Sequence, residues 1–238
     1  MLTFPEIERA LVVTAHPDDV DFGAAGTVAT MTDAGVHVTY CLVTDGDAGG
    51  SDRSMSRHDM AMLRRREQTA AAAEVGVTDL VFLGHGDGRV QPTLQLRADI
   101  SAVIRRVRPR VVICQSPERN LDRIYASHPD HLAAAEATLC AVYPDARNPF
   151  AFPELFDEAL EPWAVDEVWI STGLNGPNPV DVTAAVDRKI AALMCHVSQH
   201  TDPQRTATMV REWMSNAAKQ LGLPDGSSAE TFRVVDTR

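Results

Sequence analysis

Ala10-Leu11-Val12-Val13-Thr14-Ala15-His16-Pro17-Asp18-Asp19-Val20-Asp21-Phe22-Gly23 sets the fold class of this chain. Ala10 to Ala15 is a short run of apolar and β-branched residues, the pattern of a strand buried on both faces. It runs straight into a His-Pro-Asp-Asp turn, stiffened by Pro17. A Gly/Ala-rich segment from Gly23 to Ala34 follows, with Val28 and Met31 at helical spacing and Gly35 placed just past a helix end. Strand, polar turn, helix is the opening of a βαβ unit.

The rest of the chain repeats that rhythm. His37 to Val43 reads as a second strand, and Thr44 to His58 as a Gly/Asp/Ser loop. Met60 to Val75 reads as a helix closed by Gly76, Asp79 to Leu83 as a third strand, and Gly84 to Gln91 as a glycine-rich loop. Leu96, Ile100, Val103, Ile104 and Val107 mark one face of a helix over Leu94 to Val107. Arg110 to Gln115 is the fourth strand. Beyond it come a loop (Pro117 to Ser127), a helix (His131 to Val142) and a Pro-rich stretch (Tyr143 to Trp163). Asp166 to Ser171 is a fifth strand, Val182 to His196 and Gln204 to Leu221 are helices, and Thr231 to Val235 is a last strand. The expected class is α/β: a Rossmann-like, mainly parallel sheet flanked by helices, in a single domain. Its core spans 8–172, with C-terminal helices and a last strand over 173–238. Right-handed crossovers and strand order 3-2-1-4-5 are expected.

The 238 residues carry 22 Lys+Arg against 33 Asp+Glu, a net charge of −11. That balance argues against a nucleic-acid partner, which needs a basic face, and against an anionic membrane surface. No apolar run approaches the roughly 20 residues of a membrane span, and MLTFPEIERA lacks the features of a signal peptide. Cys41, Cys114, Cys140 and Cys195 lie far apart without a C-x-x-C pair, which reads as free thiols in a reducing cytoplasm. The expected setting is cytoplasmic, and assembly into a homo-oligomer is left open.

A second His-Pro-Asp stands at Ser127-His128-Pro129-Asp130-His131, more than a hundred residues after the first. In open parallel sheets, ligands bind beyond the carboxyl ends of the strands where the strand order reverses. With order 3-2-1-4 that crevice lies between strands 1 and 4, the two strands from which the motifs leave. Imidazole and carboxylate suit Zn²⁺, with Fe²⁺ or another divalent ion open. His16, Asp19 and His131 form a His₂Asp set that leaves a position for water, whose pKa would fall to about 7. Asp18 is placed as general base. His128 is placed to stabilise an oxyanion or to protonate a leaving amine, with Asp130 fixing its tautomer. The plain alternative for Asp130 is a cap on the helix beginning near His131.

At these residues the sequence resembles the zinc-dependent PIG-L/LmbE-like N-deacetylases. That family includes N-acetylglucosaminylphosphatidylinositol de-N-acetylase and the mycothiol- and bacillithiol-pathway deacetylases. Its A-H-P-D-D-E motif stands here as Ala15-His16-Pro17-Asp18-Asp19-Val20, and its H-P-D-H as His128-Pro129-Asp130-His131. The resemblance implies zinc on His16, Asp19 and His131, Asp18 as base, and His128 as acid or oxyanion stabiliser supported by Asp130. Weaker matches are Phe22 to Thr27, Arg64-Arg65-Arg66-Glu67, Phe82-Leu83-Gly84 with Asp87-Gly88, and Lys189 to Gln199. Val20 departs from the family's usual Glu, and Asp21 beside it is a candidate for part of that polar role.

Arg53, Arg57, Arg119 and Arg123 fall in loops expected to rim the crevice, as substrate anchors or as solvated charge. Arg64, Asp45, Asp87 and His196 are further candidates for substrate contact. Asp45 and Asp87 equally suit Asp-Gly turns, and Arg64 equally suits a surface ion pair. The expected reaction is metal-dependent removal of acetyl from an N-acetylglucosamine-type conjugate, a small-molecule substrate. An amidase of a larger acyl group, such as a thiol S-conjugate, shares the same catalytic set. A dinucleotide oxidoreductase needs G-x-G-x-x-G after the first strand, where Thr14-Ala15-His16-Pro17-Asp18-Asp19 stands instead. A non-catalytic metal store would leave the complete catalytic set unexplained.

Overall fold

A computed structural model describes residues 1–122, 124–156, 159–173 and 176–238. In chain order its elements begin β1 (Arg9–Thr14), α1 (Asp19–Gly23), α2 (Ala25–Asp33), β2 (His37–Thr44), α3 (Arg57–Glu74) and β3 (Asp79–His85). They continue through α4 (Leu94–Val107), β4 (Val111–Cys114), α5 (Pro129–Cys140) and β5 (Glu167–Ser171). The chain closes with β6 (Asn178–Asp181), α6 (Val186–Met194), α7 (Pro203–Gln220) and β7 (Ala229–Asp236).

The strands form one sheet of order β3-β2-β1-β4-β5-β7-β6. The first five are parallel in the expected order, and β7 runs antiparallel to both β5 and β6. The C-terminal part is therefore not an appendage, because β7 is paired directly to β5. β6 escapes the sequence reading. No element is expected over Asn178-Pro179-Val180-Asp181, and the structure places it at the sheet edge, where a proline costs no ladder bond.

Side-chain alternation assigns the two faces. Ala10, Val12, Tyr40 and Leu42 pack with Val28, Met31, Ile190 and Phe232 on one side. Leu11, Val13, Cys41 and Val43 pack with Leu96, Ile100, Ile104 and Ala134 on the other. β1 contributes to both layers because it lies between β2 and β4, which is why its run is apolar without alternation. Register pairs Thr14 with Leu42 and Val13 with Cys114, so β1, β2 and β4 end together at one rim. All four cysteines are free, with Cys41 and Cys114 buried.

The helix expected over Gly23 to Ala34 is α2, and a separate short helix, α1, precedes it within the turn, the two broken at Ala24 (φ −146°, ψ 2°). α2 has no side-chain cap of its own. Glu230 of β7 supplies one, accepting from Gly26 N at 3.0 Å and Thr27 N at 2.7 Å. A carboxylate suits the positive end of a helix. Lys189 of α6 closes the arrangement, donating to Glu230 at 2.6 Å and to the Phe22 carbonyl at 2.7 Å. Gly26 allows this approach, since a Cβ there would lie 2.9 Å from Val182 Cβ.

Lys189 and Glu230 are 1% and 5% exposed. Removing one partner of a buried pair leaves an uncompensated charge. Lys189→Met is therefore expected to cost about 3–5 kcal/mol, read as a lower midpoint in urea unfolding. Replacing both residues with apolar ones should recover much of that loss.

Candidate active site

The rim formed by β1, β2 and β4 gathers the two His-Pro-Asp motifs. Ala15 leaves β1 and is tied to the end of β4 by its N–H donating to Gln115 Oε1 at 3.0 Å. His16 N–H donates to Asp19 Oδ2 at 2.8 Å, which closes the turn. Asp18 stands at its apex with φ 82° and ψ −26°, a left-handed conformation that few non-glycine residues adopt. Asp19 then opens α1.

Three imidazoles meet across the crevice. Nitrogens of His16, His128 and His131 lie within 4.8 Å of one another. Asp19 bridges two of them: Oδ2 is 3.3 Å from His16 Nδ1, and Oδ1 is 3.0 Å from His131 Nε2. The topology thus brings His16, Asp19 and His131 together as expected, and places His128 as a further nitrogen on the same centre. An imidazole, imidazole and carboxylate set fits a divalent transition ion. The Nδ1 of His16 faces Asp19, while its Nε2 is 3.2 Å from Asp87 and 3.3 Å from Asp130, contacts that fix the orientation of the ring.

The electrostatics follow from crowding. Burial works to lower the His16 pKa, but contacts with Asp130, Asp19 and Asp87 override it and raise the value to about 12. The same negative field favours a cation in the crevice. Burial pushes Asp19 up, and His131 and His16 hold it well below the usual carboxylate range. Asp18 is pushed up to about 6, mainly by burial, with Arg64 opposing and Asp19 adding. The His128 pKa is lowered, first by burial and then by His16 and His131.

Asp130 has a different partner from the one expected. Its carboxylate accepts from Gly88 N at 2.7 Å and Val90 N at 3.3 Å, and it faces His16 rather than His128. His128 is oriented by the Asp130 backbone instead, whose N–H donates to Nδ1 at 3.2 Å. His128 caps α5 in this way. With Nδ1 accepting, the hydrogen of the neutral ring sits on Nε2. The reason is geometric: in the first turn of α5 the main-chain N–H groups are unpaired, while the loop after β3 offers two donors to the carboxylate.

The residues singled out for substrate contact divide. Arg64 is 4% exposed and turned inward, donating to Asp18 Oδ2 at 2.9 Å, the Pro17 carbonyl at 2.5 Å and the Gly46 carbonyl at 3.3 Å. A surface ion pair is excluded there. Gly46 (φ +66°) leaves room for this arm, since a Cβ would meet the guanidinium. Asp87 stands behind His16, held by Ala48 N at 2.9 Å and donating its own N–H to Asp47 at 3.0 Å. His196 is 0% exposed and bonded to Asp21 at 2.8 Å, so it lines no pocket. Asp45 pairs with Arg65 through two 2.8 Å bonds. Together with Asp47, Arg57, His58 and His85 it borders a cleft of about 130 Å³. Arg57 pairs with Asp47 at 2.6 Å, Arg53 and Arg119 are exposed, and Arg123 lies outside the described residues. A cavity of about 540 Å³, lined by Leu139, Tyr143, Val168 and Arg238, lies toward the opposite end of β5 and touches none of these groups.

Gln68 was absent from the sequence reading, yet its Oε1 accepts from Asp18 N at 2.8 Å. Its signal was present: Arg64 and Gln68 are four apart and share a face of α3.

Comparison with known proteins gives the family and the fold. Residues 11–142 match a family model described as PIG-L: GlcNAc-PI de-N-acetylase. A diacetylchitobiose deacetylase of Thermococcus kodakarensis is 31% identical over 98% of this chain and 85% of its own length. A probable N-acetyl-alpha-D-glucosaminyl L-malate deacetylase 2 of Bacillus cereus is 32% identical over 80% of this chain and 83% of its own. The N,N'-diacetylchitobiose deacetylase of Pyrococcus horikoshii superposes with a TM-score of 0.88 at 26% identity, over 98% of this chain and 86% of that one. The matched span contains both His-Pro-Asp motifs and the sheet rim between them, and this chain belongs to the PIG-L family.

Proposed function

We propose that this protein is a metal-dependent N-deacetylase that hydrolyses the acetamide of an N-acetylglucosamine-type amino sugar. One observation carries the reading: His16, Asp19 and His131 converge at the rim of β1 and β4 with the half-buried Asp18 carboxylate beside them. The names of the relatives at 31–32% identity support acetyl as the group removed.

His16, Asp19 and His131 would hold the ion, zinc by the chemistry of the set, which when bound supplies Lewis-acid polarisation and a water of lowered pKa. Asp18 takes a proton from the attacking water, and an environment that raises its basicity toward neutral pH suits that step. His128 offers its Nε2–H to the oxygen of the acetyl group as charge develops there. Water adds to the acetyl carbon, the C–N bond breaks, and the proton collected by Asp18 passes to the departing amine. Acetate and the free amino sugar result. Asp87 and Asp130 hold the His16 ring in place through Nε2.

Chelation should abolish amine release, and about one equivalent of zinc per chain should restore it. Full activity in a metal-free preparation would sink the mechanism. Asp18→Asn should keep the metal while lowering kcat by about 10²–10⁴-fold, the usual contribution of a positioned base. His131→Ala should lose both metal and turnover, read by metal analysis alongside amine release. Amine release should be found among N,N'-diacetylchitobiose and N-acetylglucosamine conjugates of inositol and malate. Silence across that panel from metal-loaded protein would remove the substrate assignment.

A further inference from the structure

Behind the crevice, a chain of buried hydrogen bonds runs from the backbone of Asp18 to the segment that follows α6. Asp18 N–H donates to Gln68 Oε1 at 2.8 Å, and Gln68 Nε2 donates to Asp21 Oδ2 at 2.9 Å. His196 Nε2 meets the same oxygen at 2.8 Å. Gln68, Asp21 and His196 are each 0% exposed. The order of donors is forced. The Asp18 N–H requires the Gln68 oxygen, which turns the amide nitrogen toward Asp21, and a carboxylate only accepts, so the His196 hydrogen sits on Nε2. Asp21 Oδ1 and His196 Nδ1 have no hydrogen-bond partner among the described residues. Both bonds to Asp21 therefore fall on one oxygen.

The far end of this chain is itself anchored. Ser198 N and Oγ donate to Glu67 at 2.8 and 2.7 Å, which staples the segment after α6 to the same turn of α3 that carries Gln68. Arg64, one turn earlier, holds the Asp18 carboxylate and the Pro17 carbonyl. α3 thus grips Asp18 at its N–H and at its side chain together. A left-handed non-glycine residue persists only where its surroundings over-determine it, and Asp18 with φ 82° is such a residue. Val20 faces the core at 1% exposure, so the buried carboxylate behind the turn is that of Asp21.

We infer that Gln68, Asp21 and His196 are positioning residues that hold the Asp18 backbone in its left-handed conformation and so aim its carboxylate into the crevice. The inference rests on Asp18 as the base. The chain touches neither the imidazoles nor Asp19, so it sets kcat without setting metal affinity.

The test is steady-state kinetics of metal-loaded Q68M, D21L, D21N and H196F, with D18N alongside and with metal content and thermal midpoint measured for each. Q68M and H196F are expected to lower kcat by about tenfold or more, as a misplaced reacting group does, with KM within about twofold and the metal retained. D21N keeps an acceptor at the Oδ2 position and is expected to recover most of the kcat lost in D21L. A merely structural role would lower the thermal midpoint and leave the kcat of folded enzyme unchanged. Wild-type kcat in folded, metal-bound Q68M and H196F, with D18N inactive, overturns the inference. If Q68M does not fold, H196F, which removes only the far end of the chain, decides by the same criterion. An active D18N overturns the base assignment itself and is recognised by that variant alone.

Discussion

The imidazole of His16 has a carboxylate on one nitrogen and two on the other. Like charges about 4 Å apart cost about 4 kcal/mol at an effective dielectric near 20, so Asp19, Asp87 and Asp130 share this space only with compensation. The compensation is visible. Asp130 takes two main-chain N–H groups, Asp87 takes one, and Asp19 takes the N–H of His16 together with His131. Each main-chain donor belongs to a loop leaving a strand end, so the charge distribution and the paths of those loops are one problem with one solution. The divalent cation proposed above would complete the neutralisation and would give the local share of the −11 net charge a physical purpose.

Asp18 belongs to the same arrangement but meets a different constraint. In the proposed role it would have to be basic, which burial favours, and to point into the crevice, which the left-handed turn would serve. α3 meets the second requirement from behind with Arg64 and Gln68. The buried Lys189–Glu230 pair does similar work one layer away, fixing Phe22 and the start of α2 against β7. The C-terminal third therefore supports the motif at the N-terminus, although among the described residues none of its side chains is bonded to the imidazole cluster.

Much of this was legible in residue order. The unalternating run of β1, the helix periods and the Gly stops give a doubly wound parallel sheet, and its reversal point predicts that the two His-Pro-Asp motifs meet. Where legibility failed, partner choice was the cause. Asp130 was expected to serve His128, and it serves His16. Arg64 and His196 were expected to face substrate, and both face inward. A charged residue near a site reads the same in sequence whether it points out or in. Only the packing of α3 and α6 against the turn distinguishes the two.

Local order by itself determined the βαβ rhythm, the strand order through β5, and the residues His16, Asp19 and His131 as a meeting set, because periodicity and crossover handedness act over short stretches of chain. The tertiary structure alone decided which groups the ring nitrogens of His16, His128 and His196 face, which carboxylates stand behind His16, and that Gln68 meets the N–H of a left-handed Asp18. It also decided the placing of β6 at an edge and the antiparallel insertion of β7. These are matters of direction rather than identity. Direction is set when distant donors and acceptors compete for a buried partner, and that competition exists only after the sheet has brought them within hydrogen-bond reach.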